Sequence, residues 1–412
     1  MAVIQPFKGI RPAKDKAHLV ASRAVDHYNS SQINARLAEN PYTFLHIIKP
    51  EFGQDTKTKP YTHERHQKIK NKFQEFIRNG IMISDKEECL YVYRQIKDRH
   101  SFTAIIACAS VEDYFKQVIK KHEQTLAERE EKLKSYMEIC DFNAEPICLC
   151  YPDSPAISRL VAAITKQEPV YDFSTTDTIE HILWKVNDKK NINKVRAAFK
   201  NIPSLYIADG HHRCAASSLL GKIHKQNNPN HTGKESYNYF MAAFAPMSDL
   251  KIFEYNRAVK DMNGLSTEAI FKKLAASFDI TDNGSIAFKP ERKGIFGMYL
   301  NEKWYRLKER SQSNKKSDAE SFNDKVLAAI FDIHDLRRDK RVLFISGTKG
   351  IEELKKTVDS GKAKVGFSLF PVAFEEIQAI SDSGKTLPPK TTWVEPKLRS
   401  GLLMYSLSNI TK

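Results

Sequence analysis

Between 62 and 79, apolar or long-stemmed side chains recur every three to four positions, and the pair Asn79-Gly80 that follows stops a helix and turns the chain. That spacing predicts a helix. Two runs rich in β-branched and aromatic residues come next, Cys89-Leu90-Tyr91-Val92-Tyr93 and Phe102-Thr103-Ala104-Ile105-Ile106-Ala107, and read as strands. Residues 111–140 are expected to be helical, with a charge-mixed second half from Glu123 to Glu138. Ile147-Cys148-Leu149-Cys150-Tyr151 reads as a compact strand closed by Pro152-Asp153, and 155–166 and 190–200 as helices. Ser204-Leu205-Tyr206-Ile207-Ala208 is a further strand. A polar run then separates it from the small and apolar residues Cys214 to Leu220, predicted as a helix stopped at Gly221.

The first 60 residues are irregular, with Phe44-Leu45-His46-Ile47-Ile48 as a strand candidate. After Pro246 the pattern changes: 250–300 alternates strand-like runs with one helix, Thr267 to Phe278. The polar stretch 308–316 is the best linker or surface-loop candidate. In the tail, 341–345, 365–370 and 401–405 read as strands, and 349–358 and 372–381 as helices. No internal repeat is visible. The expectation is a mixed α/β (α+β) chain, with 1–250 carrying the candidate chemistry and 251–412 a C-terminal α/β region.

Composition supports a packed protein: 41% of residues are hydrophobic and 28% charged, enough apolar material for a core. No stretch approaches the roughly 20 apolar residues that span a bilayer, and the start, Met1-Ala2-Val3-Ile4-Gln5-Pro6-Phe7-Lys8, lacks the pattern of a signal peptide. A cytoplasmic protein without membrane association is expected. Six cysteines lack zinc-site spacing and are expected to be buried, reduced thiols. The net charge of +15 favours anionic partners. The positive residues are dispersed, densest at Lys189-Lys190, Lys315-Lys316 and Arg337-Arg338-Asp339-Lys340-Arg341, and no helix-turn-helix with a basic recognition helix stands out. Nucleotides and phosphorylated metabolites therefore fit better than nucleic acid.

The chemistry concentrates in Asp209-Gly210-His211-His212-Arg213, five polar residues between an apolar strand and an apolar helix. Gly210 lets the backbone turn sharply and approach a ligand. The N–H groups and dipole of a helix beginning near His211 favour an anion. Arg213 offers a planar fork for phosphate oxygens, and His211 and His212 add donors. Asp209, at the carboxyl end of a strand, is placed to hold Mg²⁺ or accept a proton. Two other readings of these residues stay open: a zinc pair at His211 and His212, and a helix cap at Asp209.

The stretch Leu205-Tyr206-Ile207-Ala208-Asp209-Gly210-His211-His212-Arg213 resembles the signature of free serine kinases in the ParB/sulfiredoxin-like superfamily. The wider pattern is similar to the domain-of-unknown-function family 1015, with features at Asn40-Pro41-Tyr42, Leu90-Tyr91-Val92-Tyr93, Lys121-His122-Glu123-Gln124-Thr125, His181-Ile182-Leu183-Trp184 and Pro388-Pro389-Lys390-Thr391-Thr392. The resemblance runs from about residue 4 to residue 407. It implies a ParB/sulfiredoxin-like core with additional N- and C-terminal regions, and transfer of a phosphoryl group from ATP or ADP, with Mg²⁺, to the hydroxyl of L-serine. It implies Glu123 as the base on that hydroxyl and Asp209 as a metal-holding or orienting carboxylate, with Gly210, His211, His212 and Arg213 on the phosphates.

His122, Thr125, His181 and Trp184 are candidates for the substrate pocket, although a tryptophan three residues after a histidine on a helix is more often core. Lys390, in the stiff Pro-Pro loop, and Arg11 are candidates to reach phosphate. Asn256 and Arg257 sit in an otherwise apolar stretch, with Arg257 suited to a phosphate or an acidic surface. The rival from another class is a nucleotide-binding switch or DNA-associated module of the ParB type.

Overall fold

The computed structural model describes residues 1–55, 57–311 and 316–408, in two compact units. The first comprises Met1–Lys121, Thr125–Leu250 and the chain from Pro396 onward; the second, His122–Gln124 and Lys251–Glu395. Both mix helices and strands, as the alternating periodicities predict. The described residues 396–408 group with the first unit.

The first unit is built on a nine-stranded sheet. Its strands run in the order Ile119–Lys120, Leu205–Asp209, Ile147–Tyr151, Tyr239–Pro246, His100–Ser110, Leu90–Lys97, Glu180–Val186 and Tyr171–Ser174, with Ile4–Gln5 paired to His100–Ser110. Asp98 and Arg99, both at positive φ, make the two-residue turn that joins Leu90–Lys97 to His100–Ser110. Leu149, Leu205, Ile207, Phe240 and Phe244 share a core with Ile192, Val195 and Phe199 of the helix Lys189–Phe199. Side chains alternate across a strand, so Leu205 and Ile207 point into this core and Tyr206 and Ala208 do not. The second unit has a seven-stranded antiparallel sheet, in the order Phe278–Gly284, Lys303–Glu309, Ile295–Leu300, Val365–Ser368, Lys251–Val259 and Val342–Ser346, with Thr392–Glu395 on the first half of Lys251–Val259. Phe296, Met298, Phe322, Val326, Phe331 and Phe367 form its main core.

Several expectations give way to the fold. Residues 111–140 are two helices, Val111–Phe115 and Ala127–Cys140, separated by the edge strand Ile119–Lys120. Glu123 is therefore in an extended segment, bridged to Leu387, and not on a helix. His181 and Trp184 lie on the strand Glu180–Val186. The helix after the histidine run extends through Gly221 to Asn227. Gly221 serves close packing there, since a Cβ would collide with the Tyr237 carbonyl. Phe44 to Ile48 forms a short helix, Leu45–Ile48. Of the polar stretch 308–316, the beginning is strand, and 312–315 lie outside the described residues. All six cysteines are buried and unpaired, and among the described residues no helix is long and apolar enough to cross a membrane.

Candidate functional site

The strand Leu205–Asp209 pairs antiparallel with Ile147–Tyr151, and the register slips between Ile207 and Asp209. A bulge of this kind re-aims the last side chain of a strand. The helix His211–Asn227 starts immediately, with Gly210 at its N-cap in the left-handed region at φ 99°. The guanidinium of Arg213 lies against the Gly210 Cα; a Cβ would stand 3.0 Å from Arg213 Nη2. The positive φ selects glycine. Gly210→Ala should therefore cost about 1–2 kcal/mol for the left-handed backbone alone, read as a lower urea midpoint at unchanged slope.

The N-cap position of this helix is Gly210, one residue after Asp209. The Asp209 carboxylate is held by two cations. One oxygen accepts from the ammonium of Lys397, and the other from Arg213 Nη2 at 2.9 Å. Burial would raise this carboxyl, but Lys397 and Arg213 together outweigh it and hold the group down at about 2. Asp209 is an anion at neutral pH, with 35% of its side chain still exposed.

Arg213 is engaged on three sides. Nη1 donates to the carbonyls of Glu145 and Pro146 at 3.3 and 3.1 Å and pairs with the Glu145 carboxylate at 3.2 Å. Glu145 in turn accepts from Ser400. The terminal nitrogens expected to grip phosphate thus brace the turn. His212 Nε2 accepts the N–H of Leu126 at 3.2 Å, tying the start of the helix Ala127–Cys140 to the histidine run and placing the ring proton on Nδ1. The two helices also pack through Met137, Ala216 and Leu220. His211 is buried.

The residues do not fit a resident metal. Both oxygens of Asp209 already face cations, and among the described residues no group of three or more His, Cys, Asp or Glu side chains is gathered. The Asp209 magnesium site expected from sequence, and the zinc reading left open for His211 and His212, find no gathered donor set among the described residues.

The segment 396–400 is the feature that sequence reasoning missed. Lys397 reaches Asp209, Ser400 reaches Glu145, and Arg399 binds Asp177 through Nη2 with both oxygens at 2.7 Å. Arg399 Nε also donates to His181 Nε2 at 3.2 Å, while Nδ1 meets the Tyr93 hydroxyl at 2.7 Å. His181 is 0% exposed, and burial, helped by the Arg399 charge, pushes it down to about 3. It is a neutral packing residue, not a pocket wall. Trp184 is buried as well, with Nε1 donating to the Gln167 carbonyl at 2.9 Å. Arg11 belongs to another buried network, forked onto Asp85 at 2.9 Å through Nε and Nη2.

Thr125, in the first unit, is half-buried in the loop before Ala127–Cys140. His122, Glu123 and Lys390 belong to the second unit. There the His122 carbonyl accepts the Leu387 N–H at 2.7 Å, and its ring, pushed down to about 4 by burial, meets Thr392 Oγ1 at 3.2 Å. Glu123 is half-buried, and Lys390 is exposed with its ammonium 5.5 Å from the Tyr255 ring centre.

Residues 4–332 match the family described as "Protein of unknown function (DUF1015)". The chain belongs to that family. None of the curated proteins matches it. Among solved structures, this family member is similar to a free serine kinase in complex with AMP, at 14% identity over 71% of this chain and 87% of the other, TM-score 0.35. It is similar to a C-terminally truncated SbnI from Staphylococcus aureus at 13% identity, covering 74% and 90%, TM-score 0.40. A conserved hypothetical protein from Pyrococcus furiosus follows at 14%, 74% and 95%, TM-score 0.36. Likenesses this slight leave the chemistry to be argued from the chain's own residues.

Proposed function

We propose that the protein is a nucleotide-dependent phosphotransferase that moves a phosphoryl group from ATP or ADP to the hydroxyl of L-serine, giving O-phospho-L-serine. The observation that supports it is the Asp209 carboxylate, kept ionised between Lys397 and Arg213 at the start of a helix. Phosphoryl transfer needs little covalent help from a protein; it needs positive groups fixed around the moving phosphate. Asp209 anchors the Lys397 ammonium and the Arg213 guanidinium beside the helix N–H groups, so the charge is in place before substrate arrives. The serine acceptor comes from the resemblance at 205–213.

In this reading Glu123 takes the proton of the serine Oγ. The oxygen forms a bond to the terminal phosphorus, and the bond from that phosphorus to the nucleotide's bridging oxygen breaks, leaving the electron pair on the departing nucleotide. Mg²⁺ would travel on the nucleotide's own phosphates. Substrate and donor are small cytoplasmic metabolites, and we place the protein there.

The test is direct: incubate the full chain with L-serine, Mg²⁺ and either ATP or ADP, and assay phosphoserine by mass spectrometry. Product with one nucleotide is expected. No product with either, together with DNA binding that falls steeply with salt, replaces this reading with the nucleotide-binding or DNA-associated module.

A further inference from the structure

Arg257 lies in the middle of the strand Lys251–Val259, paired in register with Phe344 on one side and Phe367 on the other. It is 0% exposed. Nη1 donates to the Tyr255 carbonyl, and the guanidinium carbon sits 4.7 Å from the Phe344 ring centre. Among the described residues, neither Nε nor Nη2 has a hydrogen-bond partner. Those two nitrogens form one edge of the guanidinium, where an Nε–H and an Nη2–H point the same way. That edge matches two oxygens of a carboxylate or phosphate. Burial lowers the group to about 9, against a smaller opposing effect of Tyr255, so it still carries its charge at neutral pH.

A buried, charged fork with no anion is a poor way to stabilise a sheet. A hydrophobic side chain of similar length would serve packing better. Two residues along the same strand, Tyr255 packs edge-on to Phe344 at 6.4 Å, and the Lys390 ammonium lies 5.5 Å from the Tyr255 ring centre. Lys390 and Arg257 thus each meet a ring of one aromatic pair, Tyr255 and Phe344.

We propose that the second unit binds a small oxyanion, the carboxylate or phosphate of a metabolite, on the Nε–Nη2 edge of Arg257. The site lies wholly within 251–395 and does not depend on the phosphotransfer reading. It explains why a strand otherwise suited to apolar packing keeps an arginine.

Calorimetric titration of the full chain with inorganic phosphate, and separately with acetate, tests the proposal and distinguishes the two chemistries. A saturable heat with at least one anion is expected in the wild type. It should vanish in Arg257→Met and weaken by about tenfold in Arg257→Lys, which keeps the charge and loses the fork. Without added anion, the thermal midpoint of Arg257→Met should equal or exceed that of the wild type, since removing an uncompensated buried charge relieves the fold. No saturable binding in the wild type overturns the site. So does binding by Arg257→Lys at wild-type strength, or an Arg257→Met protein that melts several degrees lower while binding phosphate and acetate unchanged.

Discussion

Glu123→Gln should slow phosphoserine formation by about 10²–10⁴-fold, the range a positioned general base supplies, while nucleotide affinity stays within a few-fold of wild type. The substitution is nearly isosteric, and Glu123 is held in place through its backbone. It bridges to Leu387, and the neighbouring His122 carbonyl accepts the Leu387 N–H at 2.7 Å. Those backbone contacts survive the change, and an unchanged thermal midpoint in the variant assigns a loss of turnover to chemistry and not to folding. The split is visible in single-turnover assays alongside a nucleotide titration. In the variant the residual rate should rise with pH, because solvent must take the proton that the carboxylate no longer accepts. Turnover equal to wild type removes Glu123 from the role of base and leaves the Asp209 site untouched.

How far the sequence reaches is clear at particular residues. The strand Leu205–Asp209, the helix that follows it and the glycine between them are legible because three local signals agree: an apolar run, a residue tolerant of positive φ, and a second apolar periodicity. The helix Lys189–Phe199 is legible from its apolar spacing, and the strand Ile147–Tyr151 from its unbroken apolar run before Pro152. The stretch 111–140 fails because its charged, strong helix formers mask a break. Ile119–Lys120 is strand only because it pairs parallel to Leu205–Tyr206, a tertiary effect no local pattern carries. His181 and Trp184 mislead similarly, since spacing of three suggests a helix face while pairing with Leu90–Lys97 makes a strand.

Lys397 was hidden for a different reason. It stands 188 residues from Asp209, in a segment that looks like an ordinary basic loop, Pro396-Lys397-Leu398-Arg399-Ser400. The signal was there in retrospect: two cations flanking a leucine after a stiff proline. Nothing local says that each has a carboxylate waiting, Asp209 for one and Asp177 for the other. Arg213 shows the converse. Its identity was legible and its partners were not, because Glu145 and the carbonyls of Glu145 and Pro146 come from a separate turn.

Lys397→Met should reduce transfer on the order of 10²–10³-fold, comparable to losing one preorganised electrostatic contact to a developing charge, and Lys397→Arg should recover part of it. The variant also carries a pH signature that a general loss of packing would lack. In the wild type, burial raises the Asp209 carboxyl, but Lys397 and Arg213 reverse this and hold it at about 2, against an ordinary value of 3.8. A depressed carboxyl stabilises the folded state fully above its unfolded value, and that contribution disappears as pH falls through the folded value. Without Lys397, the opposing effect of burial is met by fewer charges, so the folded value rises and the contribution shrinks. The difference in thermal midpoint between wild type and Lys397→Met should therefore be largest above pH 4 and narrow as pH falls from about 4 towards 2. A constant difference across that window would mean that Lys397 contributes through its methylene stem. Full transfer activity in the variant would mean that the ammonium on Asp209 takes no part in holding phosphate. The arginine variant separates charge from shape, since it restores the cation on Asp209 with a planar, forked head in place of a compact one.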